Sequence, residues 1–318
     1  MKLLVTGGCG FIGSNFIHYT LEKYPDYEII NLDKLTYAGN PENLKDVVDN
    51  PNYSFVKVDI CDPVIINEVM KEVDQVVHFA AESHVDRSIE DCSVFVSTNV
   101  LGTNNLLQSA LANDIKKFIH ISTDEVYGST KEGSFVEEDM LNPSSPYSSS
   151  KAGSDLLAMS YYITHGLPVT VTRCTNNFGP YQFPEKLIPF FISRLMEGEK
   201  VPVYGTGLNV RDWIYVEDHC SAVDFVLHNG NPGQIYNIGG GNELTNLEIT
   251  HRLLEAFGYD ESMIEYVEDR KGHDFRYSLD CSKLQKMGWN PAYDFDTALE
   301  HTISWYKENK WWWEPLKQ

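Results

Sequence analysis

The glycine-rich segment near the amino terminus constrains the fold more than any other part of the chain. It follows an apolar run at 2–6 that is typical of a short buried strand, and a helical pattern begins directly after it. Within the segment, Gly8, Gly10 and Gly13 have the spacing G-x-G-x-x-G, and Gly7 takes the place of Gly8 in the variant G-x-x-G-x-x-G. Such glycines let the backbone approach a pyrophosphate at the N-terminus of a helix. The order of strand, glycine turn and helix therefore predicts a dinucleotide-binding unit.

A carboxylate follows the second predicted strand. This strand covers 28–32 and ends at Asp33, twenty residues after Gly13. An acid in this position accepts hydrogen bonds from the ribose hydroxyls of a dinucleotide and repels the 2′-phosphate of NADP. We therefore predict NAD as the cofactor.

Apolar runs and helical stretches alternate further along the chain. The predicted strands cover 53–58, 75–79, 117–122 and 168–174, and the predicted helices cover 64–71, 94–112 and 148–165. This alternation is typical of an α/β fold with a doubly wound parallel sheet, the Rossmann fold. A segment rich in Pro, Gly and Asn then breaks the pattern after Cys174. We expect an NAD-binding Rossmann domain at 1–174, to which 214–239 return, and a smaller α/β substrate-binding lobe at 175–213 and 240–318.

Composition excludes several kinds of partner. The net charge of −21 argues against binding of nucleic acid or anionic membranes, because a phosphate backbone requires a basic surface. No signal peptide precedes the first strand, and no stretch approaches the roughly eighteen apolar residues that cross a bilayer. We expect a cytoplasmic protein with a small-molecule substrate.

Cysteine and histidine spacing predicts no metal site. The six cysteines contain no C-x-x-C pair, and the ten histidines contain no H-E-x-x-H pattern. We expect free thiols, and we interpret His78 and His120 as core histidines. His84 falls in a polar loop, where it could approach the substrate or cap the loop. The run Trp311–Trp313 cannot form one stacking platform, because consecutive side chains point in different directions, and burial of this tail is the favoured interpretation.

A hydroxyl and two carboxylates follow the predicted strand 117–122. Ligands of open α/β sheets bind at the carboxyl ends of the strands, so Thr123, Asp124 and Glu125 are expected to face a substrate. Adjacent carboxylates repel each other, which raises the pKa of one of them and allows one acid and one base to coexist. The alternative is a turn-capping threonine followed by two solvated loop acids.

Tyr147 and Lys151 are four residues apart, so on a helix they would lie on the same face. A nearby ammonium favours the phenolate and would lower the pKa of Tyr147 toward the working pH, where it could accept a proton from a sugar hydroxyl. The alternative is an unrelated surface tyrosine and lysine on an amphipathic helix.

Several segments together resemble the extended short-chain dehydrogenase/reductase family, and more narrowly its nucleotide-sugar dehydratases. They are 6–13, 33–40, 80–87, 122–128, 147–151, 173–189, 210–219 and 269–274, so the resemblance covers essentially the whole chain. Ser149, Thr175 and Phe178 depart from the residues that are common in the family, and none of these departures removes a group that the chemistry needs.

The resemblance implies a reaction in three steps that converts dTDP-glucose to dTDP-4-keto-6-deoxyglucose. Tyr147 takes the proton of the C4 hydroxyl while hydride passes to NAD, and Lys151 holds the phenolate and the cofactor ribose. Glu125 then removes the C5 proton, and a protonated Asp124 delivers a proton to the leaving C6 hydroxyl. Hydride finally returns to C6. Thr123 would hydrogen-bond the C4 oxygen.

The resemblance also implies a set of binding residues. On the cofactor side these are Gly7, Gly10, Phe11, Ile12, Gly13, Asp33, Lys34, Thr36, Asp59, Ile60, Ala80, Ala81, Ser83, Thr98, Tyr147, Lys151 and Asn177. On the substrate side they are Ser83, Thr123, Asn176, Lys186, Leu187, Pro202, Tyr204, Arg211, Asn246, Arg270 and His273. Arginines suit a diphosphate and a tyrosine ring suits the base, although each arginine alone could be a surface ion-pair partner. The family forms dimers through the helices at 94–112 and 148–165, so a homodimer is expected.

Two other functions remain as alternatives. A nucleotide-sugar 4-epimerase or a UDP-glucuronate decarboxylase of the same fold would keep Tyr147 and Lys151 but would not need both Asp124 and Glu125. A non-catalytic dinucleotide sensor or scaffold protein would be expected to lack the tyrosine and lysine pair. The sequence does not distinguish a thymine from a uracil base.

Overall fold

A parallel sheet forms the centre of the molecule, for which the computed structural model describes residues 1–269 and 274–317. The strands of these residues are β1 (Lys2–Thr6), β2 (Glu28–Asp33), β3 (Tyr53–Lys57), β4 (Gln75–His78), β5 (Lys117–Thr123), β6 (Val169–Cys174), β7 (Asn176–Phe178), β8 (Val201–Tyr204), β9 (Val210–Tyr215), β10 (Ile235–Ile238), β11 (Glu243–Thr245) and β12 (Ile264–Val267). Seven of them pair in the order β10-β6-β5-β4-β1-β2-β3. The chain thus winds outward from β1 in both directions, which confirms the predicted doubly wound Rossmann fold.

Helices cover the sheet and extend into the smaller lobe. They are α1 (Phe11–Lys23), α2 (Pro63–Met70), α3 (Val85–Glu90), α4 (Ser93–Phe95), α5 (Thr103–Ala112), α6 (Pro146–His165), α7 (Leu187–Met196), α8 (Val216–Asn229), α9 (Asn246–Phe257), α10 (Ser282–Lys286), α11 (Phe295–Glu308) and α12 (Lys310–Trp313). A π-helical segment, Val96–Gly102, joins α4 to α5, so these elements together form the predicted helix 94–112. Short 3₁₀ helices cover Pro41–Leu44, Asp124–Tyr127, Glu261–Met263 and Glu314–Leu316.

Two small sheets lie outside the central one. The strands β11, β9 and β7 form a three-stranded sheet, and β12 pairs with β8. The strands β7, β9 and β11 were not predicted, because three to six residues with polar side chains give a weak pattern. After β9 the chain returns to the central sheet through α8 and β10, and β10 pairs with β6.

The core positions the carboxyl ends of the inner strands. Every residue of β5 is buried, as expected for an inner strand of a parallel sheet with both faces covered. At the other end of the chain, Trp312 and Trp313 are 3% and 0% exposed, which confirms that the tail is buried. Trp311 remains 43% exposed and lies under the ammonium of Lys45.

Among the described helices, none is both long and apolar enough to cross a membrane.

Candidate active site

Two cavities lie at the carboxyl edge of the central sheet and share part of their lining. The inner cavity lies against the glycine turn, and every residue predicted to contact the cofactor lines it: Gly7, Gly10, Phe11, Ile12, Gly13, Asp33, Lys34, Thr36, Asp59, Ile60, Ala80, Ala81, Ser83, Thr98, Tyr147, Lys151 and Asn177. The outer cavity is lined by Ser83, Asn176, Lys186, Leu187, Pro202, Tyr204, Arg211 and Asn246. Thr123 and Asp124 line the inner cavity, whereas Glu125 lines both.

The glycine turn is closed too tightly for side chains. Gly7 has φ +73°, and a Cβ atom there would lie 2.6 Å from the backbone nitrogen of Ala80. A Cβ atom on Gly13 would collide with the carbonyl oxygen of Gly7. Gly10 is the N-cap of α1 and provides no side-chain cap, so the first N–H groups of this helix are available to an anion. The turn therefore fits a pyrophosphate.

Asp33 is held in a fixed orientation at the wall of the inner cavity. Its Oδ2 atom accepts a hydrogen bond from the Cys9 N–H at 2.9 Å, and its Oδ1 atom accepts one from the Leu35 N–H at 2.8 Å. Burial raises the pKa of its carboxyl despite these bonds. Each carboxylate oxygen can accept a second hydrogen bond, so Asp33 can still receive ribose hydroxyls. Nearby, Lys34 and Asp59 form an ion pair of 2.6 Å.

Thr123, Asp124 and Glu125 lie where β5 ends and a 3₁₀ helix begins. Thr123 is the last residue of the strand and the N-cap of the helix, and its Oγ1 atom accepts a hydrogen bond from the Glu125 N–H at 3.3 Å. Asp124 is 4% exposed. The strand end therefore places the two acids in succession, Asp124 buried and Glu125 half-buried, and they are not solvated loop acids.

The two acids hold their protons with different strengths. Burial raises the pKa of Asp124, the charge of the neighbouring Glu125 adds to this rise, and the resulting pKa is about 8. Burial raises the pKa of Glu125 to about 7, although the charges of Arg211 and Lys186 act in the opposite direction. At neutral pH Asp124 is therefore mostly protonated and can donate a proton, whereas Glu125 is ionised in a larger fraction of molecules and can accept one.

Tyr147 and Lys151 lie on α6, which begins with a capping box between Ser145 and Ser148 and with Pro146 at its first position. Lys151 donates a hydrogen bond from Nζ to the carbonyl oxygen of Ile121 at 2.7 Å, and burial lowers the pKa of its ammonium.

The expected lowering of the Tyr147 pKa is wrong for the isolated chain. Burial raises the pKa of the phenol well above its usual value, and the charges of Glu125 and Asp124 raise it further. A hydrogen bond with the hydroxyl of Thr123 acts in the opposite direction and lowers this pKa, but by less. Sequence spacing shows that Lys151 is near, but it does not show how deeply the phenol is buried.

A buried polar network lies behind Lys151. Asp155, one turn further along α6, accepts a hydrogen bond from the Arg173 Nε atom at 2.9 Å and lies 3.3 Å from the Nε2 atom of His120. His78 contacts the hydroxyls of Thr6 and Thr103. Both histidines are buried, as predicted for core residues.

Cationic and amide side chains line the outer cavity. Arg211 is 8% exposed and donates hydrogen bonds to the carbonyl oxygens of Val210 and Asp274 at 2.7 and 2.9 Å. It is therefore a buried residue and not a surface ion-pair partner. Lys186 lies 3.5 Å from Glu185, and Asn246 is the first residue of α9. Arg270 and His273, also predicted to bind the substrate, lie outside the described residues.

Sequence reasoning missed a polar cluster where the two cavities meet. Glu185 lines both cavities, accepts a hydrogen bond from the Tyr37 hydroxyl at 3.2 Å and lies 3.5 Å from the Nε2 atom of His84. His84 also caps α3, because its Nδ1 atom accepts a hydrogen bond from the Arg87 N–H at 3.4 Å. Glu185 lies in the Pro-rich loop after β7, next to Lys186, and this position is the signal that could have identified it.

Comparisons with known proteins agree on one family. A family model described as GDP-mannose 4,6 dehydratase matches residues 4–302. The dTDP-glucose 4,6-dehydratase of Streptomyces antibioticus is 54% identical over 324 residues, which cover 100% of this chain and 96% of that protein. The structure of DesIV, a dTDP-glucose 4,6-dehydratase of Streptomyces venezuelae with NAD and dTDP bound, has a TM-score of 0.97 and 53% identity, with 100% of both chains covered. The UDP-glucose 4-epimerase of Thermus thermophilus in complex with NAD has a TM-score of 0.89 and 30% identity, with 97% of this chain and 100% of that chain covered.

Proposed function

Because the chain belongs to the nucleotide-sugar 4,6-dehydratases of the extended short-chain dehydrogenase/reductase family, we propose that it converts dTDP-glucose to dTDP-4-keto-6-deoxyglucose and water with NAD, a step of deoxysugar biosynthesis. One observation carries this proposal. Two adjacent acids that are withdrawn from water, Asp124 and Glu125, both have raised pKa values beside Tyr147. Elimination of water requires one proton donor and one proton acceptor, and this pair provides both.

The glycine turn and Asp33 would hold NAD. The tight turn at Gly7 and Gly13 and the uncapped start of α1 suit the pyrophosphate, and the oriented carboxylate of Asp33 suits the ribose hydroxyls. The remaining residues predicted for the cofactor line the same inner cavity. Bound NAD supplies the chemistry that side chains lack, because it accepts a hydride from C4 of the sugar and returns it to C6.

Tyr147 and Lys151 would act first. Tyr147 receives the proton of the C4 hydroxyl, and Thr123 hydrogen-bonds the C4 oxygen. Since burial raises the pKa of the Tyr147 phenol, its phenolate needs a nearby positive charge, which the ammonium of Lys151 and the oxidised nicotinamide ring can provide.

Asp124 and Glu125 would act after the oxidation. The new ketone at C4 makes the C5 proton acidic, and Glu125, the member of the pair that is more often ionised at neutral pH, removes it. Asp124, which keeps its proton at neutral pH, transfers that proton to the leaving C6 hydroxyl. Water then leaves. In the final reduction at C6, Glu125 returns its proton to C5, and the proton that Tyr147 took from the C4 hydroxyl restores Asp124, so all three groups regain their first protonation states.

The outer cavity would bind the nucleotide diphosphate. Arg211, Lys186 and Asn246 supply donors for the phosphates, and the ring of Tyr204, which lines this cavity and is 40% exposed, would pack against the base. We retain Arg270 and His273 as substrate residues on the sequence resemblance. The remaining substrate residues of this proposal are Ser83, Asn176, Leu187 and Pro202, which line the same cavity.

Thymine and uracil differ by one methyl group, which a pocket distinguishes by about 1–3 kcal/mol, and the relatives support thymine.

We further propose a homodimer in the cytoplasm, formed through the helices at 94–112 and 148–165. Large apolar side chains are exposed on both: Val96 by 52%, Leu101 by 51%, Leu156 by 64% and Ile163 by 75%. A second copy would remove these side chains from water. Leu156→Glu combined with Ile163→Glu should give a monomer in sedimentation experiments, whereas a wild-type chain that sediments as a monomer would exclude this dimer.

The domain division proposed from the sequence, with 175–213 and 240–318 as the substrate lobe, is retained as a proposal.

An isotope experiment tests the reaction. The protein is given dTDP-glucose deuterated at C4, and the product is analysed by NMR. Internal hydride return requires the deuterium to appear at C6 of a 4-keto product. An epimerase would leave the deuterium at C4, and a non-catalytic protein would leave the substrate unchanged.

A further inference from the structure

The peptide units of Cys9, in the middle of the glycine turn, are held on both sides. The Cys9 N–H donates to the carboxylate of Asp33 at 2.9 Å. The Cys9 carbonyl oxygen accepts two hydrogen bonds, one from the Asn43 side-chain Nδ2 atom and one from the Asn40 N–H, both at 2.9 Å. Cys9 is 2% exposed. These bonds connect the shape of the glycine turn to the position of Asp33.

The last helix of the chain determines how the Asn43 amide is oriented. The indole Nε1 atom of Trp312 donates a hydrogen bond to the Asn43 Oδ1 atom at 2.7 Å, between residues 269 positions apart. An indole N–H can only donate, so the Asn43 oxygen must face Trp312 and its NH₂ group must face Cys9. Asn43 is 1% exposed and Trp312 is 3% exposed, so water does not compete for these bonds.

The Trp312 ring is itself fixed by aromatic neighbours. Its centroid lies 5.2 Å from that of Trp305, 5.8 Å from that of Tyr181 and 6.4 Å from that of Tyr306, each in an edge-to-face arrangement. An indole packed in this way can anchor the amide of Asn43 without moving. The tryptophan run of the tail, which the catalytic proposal does not use, thus contacts the segment that follows β2.

We propose that Trp312 is a positioning residue for NAD, which acts through Asn43 and Cys9 on the glycine turn and on Asp33. These two groups are the ones expected to meet the pyrophosphate and the ribose, so the identity of the ligand rests on the proposed function. A turn that is already in its binding shape loses less freedom when the cofactor binds. Without the Trp312 bond, the Asn43 amide can rotate and the Cys9 carbonyl loses a donor.

The matched control is Trp313. It belongs to the same helix, is 0% exposed and donates its indole N–H to the Tyr306 carbonyl oxygen at 2.8 Å. Trp313→Phe therefore removes one buried hydrogen bond and the same volume as Trp312→Phe, but it leaves the bond to Asn43 in place. A purely structural role of Trp312 predicts that the two variants behave alike.

The experiment measures release of labelled NAD from the holoenzyme. Purified protein is loaded with radiolabelled NAD, an excess of unlabelled NAD is added, and the label that stays on the protein is followed by gel filtration. Trp312→Phe should release NAD about twofold to tenfold faster than wild type, as expected for the loss of one hydrogen bond. Trp313→Phe should release it at the wild-type rate, although both variants should lower the melting temperature.

A double mutant tests the route through Asn43. Asn43→Ala should also speed NAD release, and adding Trp312→Phe to Asn43→Ala should cause no further increase, because both changes break the same chain of contacts. Equal NAD release by Trp312→Phe and Trp313→Phe, or additive effects of Trp312→Phe and Asn43→Ala, would overturn the inference. A wild-type protein that never retains NAD would overturn the proposed function together with it, so the two failures are distinguishable.

Discussion

Thr123 donates a hydrogen bond from its hydroxyl to the Oδ1 atom of Asp124, 3.1 Å away. The other carboxyl oxygen of Asp124, Oδ2, is buried and has no hydrogen-bond partner within 1–269 and 274–317. Thr123 thus orients the carboxyl group and leaves one oxygen for a ligand. A buried oxygen without a partner is costly in a folded protein, which is consistent with a site kept for the substrate.

Replacement of the two acids should stop the reaction after the oxidation but at different points. Asp124→Asn cannot protonate the leaving hydroxyl, so turnover should fall by about 10²–10⁴-fold while NADH still forms, which absorbance at the NADH band can follow. In ²H₂O this variant should still exchange the C5 proton, because Glu125 remains. Glu125→Gln should form NADH without C5 exchange. Turnover of Asp124→Asn at the wild-type rate would contradict the acid assignment.

Tyr147→Phe should block the first step. The variant keeps the ring but has no group to accept the C4 hydroxyl proton, so neither NADH nor product should form, and turnover should fall by about 10²–10⁴-fold. Rapid mixing with dTDP-glucose and an NADH absorbance trace provide the measurement. Binding of dTDP to the variant serves as the control, because the phosphates are expected to meet Arg211 and Lys186. NADH formation at the wild-type rate would exclude Tyr147 as the base.

The reaction should have a narrow pH optimum. Activity should fall below about pH 7, where Glu125 becomes protonated, and above about pH 8, where Asp124 loses its proton. The pH profile of kcat/KM reports the pKa values of these groups in the free enzyme. Because the two acids interact, the values belong to the pair and not to either residue alone. Initial rates of 4-keto-sugar formation across the neutral range provide the measurement. A flat profile through this range would show that the pair does not control the rate.

The same burial that raises the Asp124 pKa should destabilise the fold at alkaline pH. The pKa is raised from 3.8 in a model compound to about 8 in the folded chain, so the stability contributed by protonated Asp124 is lost as pH rises toward and through about 8. Asp124→Asn avoids this loss and should melt higher than wild type at alkaline pH, by about 2–4 °C for each kcal/mol. At acidic pH the two proteins should melt alike. A lower melting temperature for Asp124→Asn at alkaline pH would contradict the burial argument.

The network behind Lys151 should contribute to stability. Asp155 and Arg173 form a buried ion pair of 2.9 Å, and Asp155→Asn leaves the guanidinium without its counter-charge. Burial alone would raise the Asp155 pKa, but the nearby His120 and Arg173 outweigh burial and lower the pKa. The stability that the ionised Asp155 contributes to the fold is therefore lost as pH falls through the pKa that Asp155 has in the folded protein. Urea unfolding of Asp155→Asn should show a loss of about 3–5 kcal/mol. The exposed Asp49, changed to Asn, provides the control and should unfold as wild type does.

Local patterns predicted those parts of the fold that depend on neighbours in sequence. The helix α6 was predicted at 148–165, and the structure begins it two residues earlier, at Pro146, and ends it at His165 as predicted. The strands β7 and β11 were missed because they have three residues each. The strand β9 was missed because Arg211 and Asp212 interrupt its apolar pattern, and it is stabilised by pairing with strands distant in the chain. The polar cluster around Glu185 was missed for a related reason, since Tyr37, His84 and Glu185 meet only in the folded chain.

The sequence alone determined the dinucleotide unit and the order of the chemical groups, because glycine spacing, strand ends and a four-residue helical separation are local properties of the chain. Tertiary structure decided the proton affinities of Asp124, Glu125 and Tyr147. Their pKa values depend on exclusion of water and on charges such as that of Arg211, which distant segments bring to the site. It also decided the contact between Trp312 and Asn43, because no local pattern relates the last helix of a chain to its first loops.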